Sequence, residues 1–326
     1  MRQMLRVGIL GAGKIAGIMA RTLREMENVQ AWAVASRERE RAEEFACTYG
    51  IERAYGSYEE LVEDPAVDLI YVATPHSHHA EHCLLCIEHG KPVLCEKAFT
   101  ANAAQARQVL ARAEERGVFL TEAIWTRYMP SRRMIDDLIG EGALGEVVSL
   151  TANLGYPLTH VERIMEPALA GGALLDIGIY PLNFASMVLG DEVEDVTSAC
   201  VKTSTGVDAQ SSIVLRYRDG KMATLHTTVL AATEQYGIIY GTKGYLIAHN
   251  INNIDRISLF GPGWSLRREI TVPKQITGYE YEVEACRRAL ETGALECPEM
   301  PHAQTLRMME QMDALRRDWG VRYPFE

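Results

Sequence analysis

The sequence predicts an α/β protein in two parts. Residues 1–123 form a doubly wound parallel sheet, and residues 124–326 form an α+β domain with a large, mostly antiparallel open sheet. Three observations carry this. Up to about residue 121, short β-rich runs alternate with amphipathic stretches, the pattern of parallel strands joined by crossover helices. Beyond residue 123 the runs lengthen and take a period of two, and Arg218-Asp-Gly-Lys221 makes a hairpin turn between two of them. The length, 326 residues, suits about two domains of roughly 100–200 residues each.

In order, the expected strands of the first part are 5–10, 29–35, 68–73, 92–95 and 118–121, and its helices are 14–26, 38–48, 58–62, 79–89 and 102–116. Gly50, Gly90 and Gly117 stand where those helices or their loops must end, because glycine takes the left-handed C-cap conformation without a Cβ clash. In the second part, strands are expected at 145–154, 193–203, 210–217 and 222–231. Helices are expected at 173–189 and 279–291, and an amphipathic segment at 301–319 closes the chain. No internal repeat, low-complexity tract or linker interrupts the pattern.

Charge narrows the partners. With 33 Lys plus Arg against 44 Asp plus Glu, the net charge is -11, and a nucleic-acid backbone or an anionic membrane surface would be repelled. Apolar stretches such as 69–73 fall far short of the roughly 20 residues that span a bilayer, so no transmembrane helix is expected. Arg2 and Arg6 ahead of an apolar run resemble a secretory leader, but Lys14 and the glycines 8, 11, 13 and 17 break the run into a strand and a turn. Seven cysteines, an odd number without framework spacing, predict reduced thiols and a cytoplasmic location.

The first strand leads straight into Gly11-Ala-Gly13-Lys14-Ile15-Ala16, the strand, glycine turn and helix that a dinucleotide-binding (Rossmann) domain requires. Gly11 makes the tight turn, Gly13 lets the backbone approach a pyrophosphate, and Ala16 permits close packing of helix on strand. The helix N-terminus adds N–H groups and the positive end of its dipole. The second strand ends Ala35-Ser36-Arg37, with no acid to bind ribose hydroxyls as NAD enzymes commonly have. Ser36, Arg37, Arg39 and Arg41 can instead surround a 2′-phosphate, since the planar guanidinium donates two hydrogen bonds to adjacent oxygens. NADP is therefore favoured over NAD, although Arg37–Arg41 also reads as an exposed alternating charge run.

Chemistry is expected at two places. Cys95-Glu96-Lys97 ends the expected strand 92–95 at the carboxyl edge of the sheet, where ligands of such folds bind. Lys97 there can orient a hydroxyl and lower its pKa. In the second half, Gly171-Gly-Ala-Leu-Leu-Asp176-Ile-Gly-Ile-Tyr180 sets a carboxylate and a phenol four residues apart on an apolar segment, on one face if it is helical. That pairing is either a hydrogen-bonded core feature or half of an acid/base site. The cluster His76, His78, His79, His82, Cys83, Cys86 and His89 offers zinc-ligand chemistry. It follows Thr74-Pro75 at a βα turn, so His76 and His79 are expected near the nucleotide, the cysteines in a packed helix, and no metal is expected.

Together these residues resemble the glucose-fructose oxidoreductase and inositol dehydrogenase family (Gfo/Idh/MocA). The motifs that carry the likeness are Gly11–Ala16, Thr74-Pro75 with His79, Glu96-Lys97-Ala98, and Asp176 with Tyr180. Glu122-Ala-Ile-Trp125-Thr-Arg127-Tyr-Met-Pro130 and the 171–180 run look like its dihydrodiol and xylose dehydrogenase branch. The resemblance implies Tyr180 as acid/base toward a substrate hydroxyl, Lys97 as its electrostatic aid, and Asp176 holding the substrate or tuning the pair. It implies Trp125 walling the nicotinamide side with Arg127 nearby, Tyr156 and Arg163 as substrate contacts, and a homodimer through the C-terminal sheet. Ala98 departs from the family's proline, which would stiffen that turn.

The expected function is transfer of hydride between a nicotinamide and a hydroxyl-bearing carbon of a sugar, polyol or trans-dihydrodiol. Its alternatives are a redox-neutral glycoside-modifying enzyme that retains its cofactor, and a non-catalytic nucleotide-sensing regulator.

Overall fold

Residues 4–326 are described by the computed structural model, so Arg2 of the leader-like stretch lies outside the described residues. The chain divides into two units. The first comprises residues 1–128 and 275–310, and the second residues 129–274 and 311–326. A single cut at 123/124 does not describe this arrangement. The reason is long-range: residues 275–310 return to the first sheet, where Leu120 N donates to Leu295 O at 3.0 Å and Thr277 meets Thr22 hydroxyl to hydroxyl at 2.6 Å. Sequence periodicity carries no record of such a return.

In the first unit β1 (Leu5–Leu10), β2 (Val29–Ala35), β3 (Arg53–Tyr55), β4 (Leu69–Val72), β5 (Val93–Glu96) and β6 (Leu120–Ala123) pair in the order β3-β2-β1-β4-β5-β6. Every pairing is parallel. All residues of β4, β5 and β6 are buried, as a sheet covered by helices on both faces demands. The covering helices are α1 (Lys14–Glu25), α2 (Arg39–Tyr49), α3 (Tyr58–Glu63), α4 (His76–Glu88) and α5 (Ala103–Arg116). α1 shows the logic: Ala16, Met19, Ala20 and Leu23 recur at helical spacing and are all buried, each large side chain contributing about 1.5–3 kcal/mol. α2 and α5 end on Gly50 and Gly117 with φ of 70° and 62°, the expected left-handed caps.

In the second unit, α6 (Pro130–Gly140) starts on a proline, and β7 (Val147–Gly155) and the single turn α7 (Glu162–Met165) follow. A π-helical turn, Leu174–Gly178, then runs into α8 (Ile179–Leu189). Its sheet is ordered β14-β13-β12-β11-β7-β10-β9-β8, with β8 (Val193–Lys202), β9 (Asp208–Tyr217), β10 (Met222–Thr228), β11 (Gly237–Gly241), β12 (Gly244–His249), β13 (Arg256–Phe260) and β14 (Leu266–Thr271). Only β7 with β10 is parallel; every other pairing is antiparallel. The hairpin at 218–221 joins β9 to β10 as expected. α9 (Glu280–Thr292) belongs to the first unit, and α10 (His302–Trp319) passes from one unit to the other.

One expectation is corrected. The stretch Pro167–Leu189 spans 23 residues, interrupted at 170–172, and its most apolar 18-residue window has a mean hydropathy of 1.4, so a near-bilayer-length apolar stretch does exist. In its most apolar window, 83% is buried inside the protein, and the run holds the ion-paired Asp176. It is packed as a core helix.

Candidate active site

The glycine turn forms a cradle. Gly11 has φ of 107°, and a Cβ there would lie 3.0 Å from Ala73 O, so only glycine suits it. Gly13 caps α1, and a Cβ at that position would meet nothing within 4 Å. The backbone is thus open to an approaching group, and the amides of Lys14, Ile15 and Ala16 are first-turn donors without intrahelical partners. Ala16 is fully buried, as close helix packing requires. These features suit a dinucleotide pyrophosphate.

Beyond β2, Ser36 is buried and its hydroxyl accepts from Glu38 N at 3.4 Å. Arg41 reaches back to donate to Ala12 O at 3.3 Å, which puts its guanidinium beside the glycine turn. Arg37 is exposed at the strand tip; burial raises the Tyr58 phenol against the opposing charges of Arg37 and Arg41, and burial, His78, His79 and Arg37 together lower His82 to about 4. Arg39 is corrected: it turns to Glu60 at 3.1 Å and Glu43 at 3.9 Å and leaves the cationic group.

After β4, Thr74-Pro75 starts α4. The Thr74 hydroxyl meets His82 Nδ1 at 2.9 Å, and buried His76 stands edge-on to His79, ring centres 5.7 Å apart. His79 differs from expectation. It is fully buried, with Nε2 2.7 Å from Thr74 O and Nδ1 2.9 Å from Ala98 O. Both ring nitrogens therefore face backbone carbonyls, and His79 braces two turns instead of touching a nucleotide. Burial lowers its pKa to about 4, against the pull of those carbonyls. Cys83 and Cys86 pack in the core, and among the described residues no set of three metal-ligating side chains is gathered.

Lys97 sits half-buried on a turn that side chains clamp. Glu96 Oε2 accepts from Lys97 N at 3.1 Å, Glu122 Oε1 from Phe99 N at 3.0 Å, and Cys95 Sγ lies 3.6 Å from Phe99 O. The Lys97–Ala98 peptide is cis, and this clamp together with His79 defines the turn. Glu96 also accepts from the Tyr71 hydroxyl. Burial, then Glu96 and Glu282, pushes the Tyr71 phenol well up. Trp125, buried in a short 3-10 turn, stacks on Tyr279 with centroids 4.2 Å apart at 19°, and Arg127 beside it is half-buried.

In the second unit Asp176 is 3% exposed and Tyr180 6%. Asp176 lies in the π turn and Tyr180 in α8, so the one-face argument built on 3.6 residues per turn does not describe the pair. Arg163 Nη1 donates to Asp176 Oδ1 at 2.7 Å, and Nη2 stands 3.5 Å from Oδ2. Arg163, exposed itself, thus supplies the counter-charge that a buried carboxylate needs. Tyr156 is half-buried, and its hydroxyl lies 3.3 Å from both Gln235 Oε1 and Asn252 Nδ2.

Sequence reasoning missed Glu282, Asp208 and Tyr279. Glu282 is fully buried, its oxygens accept no hydrogen bond among the described residues, and burial with Glu96 pushes its pKa well up. The available signal was a glutamate on the apolar stripe of α9 with Cys286 and Ala289. Asp208 and Tyr279 carry no local signal.

Residues 5–124 match the oxidoreductase family with an NAD-binding Rossmann fold, and residues 133–247 match the Gfo/Idh/MocA C-terminal domain. The chain is 37% identical over 97% of its length to trans-1,2-dihydrobenzene-1,2-diol dehydrogenase from Xenopus tropicalis, covering 98% of that protein. The Danio rerio protein of the same name is 38% identical over 98% of both chains. A 3-ketoreductase from Actinomadura kijaniata, solved with NADP and TDP-benzene, is 28% identical with a TM-score of 0.87 over 96% of this chain and 97% of that one. An aldose-aldose oxidoreductase from Caulobacter crescentus, 23% identical, shares the fold over 98% of both chains with a TM-score of 0.87. A glycine cradle inside the matched Rossmann region and this full-length likeness make the protein an NAD(P)-binding oxidoreductase acting on CH–OH groups, and the chain belongs to the Gfo/Idh/MocA family.

Proposed function

We propose that the protein is an NADP-preferring dehydrogenase of vicinal hydroxyls on a trans-dihydrodiol or a similar cyclic polyol or sugar. The observation that carries the cofactor preference is the tip of β2: no acid follows Ala35, while Ser36 and Arg37 stand there and Arg41 lies against Ala12 of the glycine turn. The substrate class rests on the full-length likeness to trans-1,2-dihydrobenzene-1,2-diol dehydrogenases.

The bound nicotinamide supplies hydride transfer; the chain must bind it and handle a proton. The amides of residues 14–16 take the pyrophosphate, with Thr74, Pro75 and His76 bordering the cradle. Tyr180 exchanges the proton of the substrate hydroxyl. Asp176, anchored by Arg163, orients the substrate oxygens, and Tyr156 adds a contact. Lys97 lends positive charge to the developing alkoxide, Glu96 holds its backbone, and Trp125 with Arg127 shapes the nicotinamide side. We further propose that two chains pair through the uncovered face of the second sheet and that the protein works in the cytoplasm.

Nicotinamide absorbance tests this with NADP and then NAD against trans-1,2-dihydrobenzene-1,2-diol, aldoses and inositols. The expected result is NADP turnover with kcat/KM at least tenfold above NAD, lowered by Arg41→Ala. NAD preference, or tight nucleotide binding without net turnover of any of these, would overturn the reading.

A further inference from the structure

The π turn and α8 that carry Asp176 and Tyr180 start from Gly171-Gly172, and this start is built around one buried carboxylate. Asp208, at the head of β9, is fully buried. Its Oδ2 accepts from Leu174 N at 2.5 Å, two residues before Asp176, and the Ala173 amide acts on the same carboxylate. Gly172 has φ of 117°, and a Cβ there would lie 2.2 Å from Asp208 Oδ1, so the turn closes on the carboxylate at glycine distance. Oδ1 has no hydrogen-bond partner among the described residues.

The preceding peptide is held independently. The Tyr323 hydroxyl donates to Gly171 O at 2.9 Å, and Gly172 N donates to Ile164 O at 2.8 Å. The Arg316 guanidinium lies 4.4 Å over the Tyr323 ring and is itself fixed by Asp313 and Glu326 at 2.8 and 2.7 Å. The titratable groups facing Asp208 are Arg316 from α10, Tyr323 from the segment after it, and Cys200 from β8.

We infer that Asp208 is a positioning residue of the reaction: its carboxylate fixes the first amides of the segment that presents Asp176 and Tyr180, with the Tyr323 hydroxyl holding the carbonyl just before them. This rests on the reading of Asp176 and Tyr180 as the reacting pair. An anion suits a helix start, where amides point out unpaired and the dipole is positive. An amide keeps one acceptor oxygen for those N–H groups but loses the negative charge that complements the unpaired amides and the positive end of the dipole. The anchor is costly to the fold, because burial pushes the Asp208 carboxyl up to about 6, so its charge opposes folding at neutral pH. A residue whose charge serves only stability would not carry that cost.

The test uses Asp208→Asn in the full chain, with NADP and trans-1,2-dihydrobenzene-1,2-diol as probes. The inference expects kcat to fall at least tenfold, NADP affinity to stay within twofold, and the melting temperature at pH 8 to hold or rise. A kcat within twofold of the parent would overturn it. So would a loss of kcat that tracks an equal loss of melting temperature and NADP affinity, the mark of a structural role. Should that variant not fold, Tyr323→Phe decides, with a threefold or larger fall in kcat expected at unchanged NADP affinity and an unchanged kcat fatal. Tyr180→Phe separates the two levels. If it turns over normally, the reading of the reacting pair falls and the inference with it; if it is inactive while Asp208→Asn is unchanged, only the inference falls.

Discussion

Glu122 is 1% exposed, and burial pushes its carboxyl up to about 7 against the pull of Phe99 N and Arg127. In the unfolded chain it titrates near its ordinary value of 4.5, so between these two pH values the folded state holds the extra proton. Stability therefore falls as pH rises through that window, and the cost is complete above about pH 7. Glu122→Gln keeps an acceptor for Phe99 N and removes the charge. It should be more stable than the parent at pH 8 by about 3 kcal/mol, the gap closing below about pH 4.5. Melting curves across pH check this, and a variant that melts lower at pH 8 would refute it. As candidates, Lys97, Asp176 and Tyr180 are legible in the sequence because each sits in a short motif. Asp208 and Glu282 are not, since burial 34 residues from Leu174 or beside Glu96 on another element is set by folding, not by neighbours along the chain.

The glycine turn before α1 permits a sharper test at the level of elements, because its two glycines serve different ends. At Gly11 an added Cβ meets the Ala73 carbonyl with φ at 107°, so Gly11→Ala should cost about 1–3 kcal/mol of stability. At Gly13 the backbone is extended, with φ of -93°, and the added carbon meets only open space. Gly13→Val should then leave the melting temperature nearly unchanged and weaken NADP binding at least tenfold, which fluorescence titration would read. A parallel loss of stability at Gly13, or undiminished binding, would remove the pyrophosphate role. Alternation and glycine caps made the first sheet legible nearly strand by strand. β11 to β14, five or six residues each, had no counterpart among the expectations, because runs that short between glycines carry little period. The π turn at 174–178 was equally hidden: the run is buried all round, Asp176 included, so its pattern cannot tell one helical pitch from another.

The whole-molecule question is what covers the second sheet. In β10, Ala223 and Leu225 point into the core while Met222 and Thr224 are exposed. In β11 and β12 the side chains off the core face are Ile238, Tyr240, Tyr245 and Ile247, with Ile238 opposite Ile247 and Tyr240 opposite Tyr245. Tyr245 stacks on Phe260 at 4.7 Å, which extends the same half-buried surface onto β13. Aromatic and β-branched residues gathered on one face are costly to leave in water and suit a self-complementary contact. Light scattering should give a mass of twice 36.3 kDa at micromolar concentration. Tyr240→Glu would bury a charge against its copy and should shift that mass toward one chain, while nucleotide binding in the first unit persists. A monodisperse monomer of the parent protein would defeat the proposal. A Tyr240→Glu variant that stays dimeric would move the contact to another face.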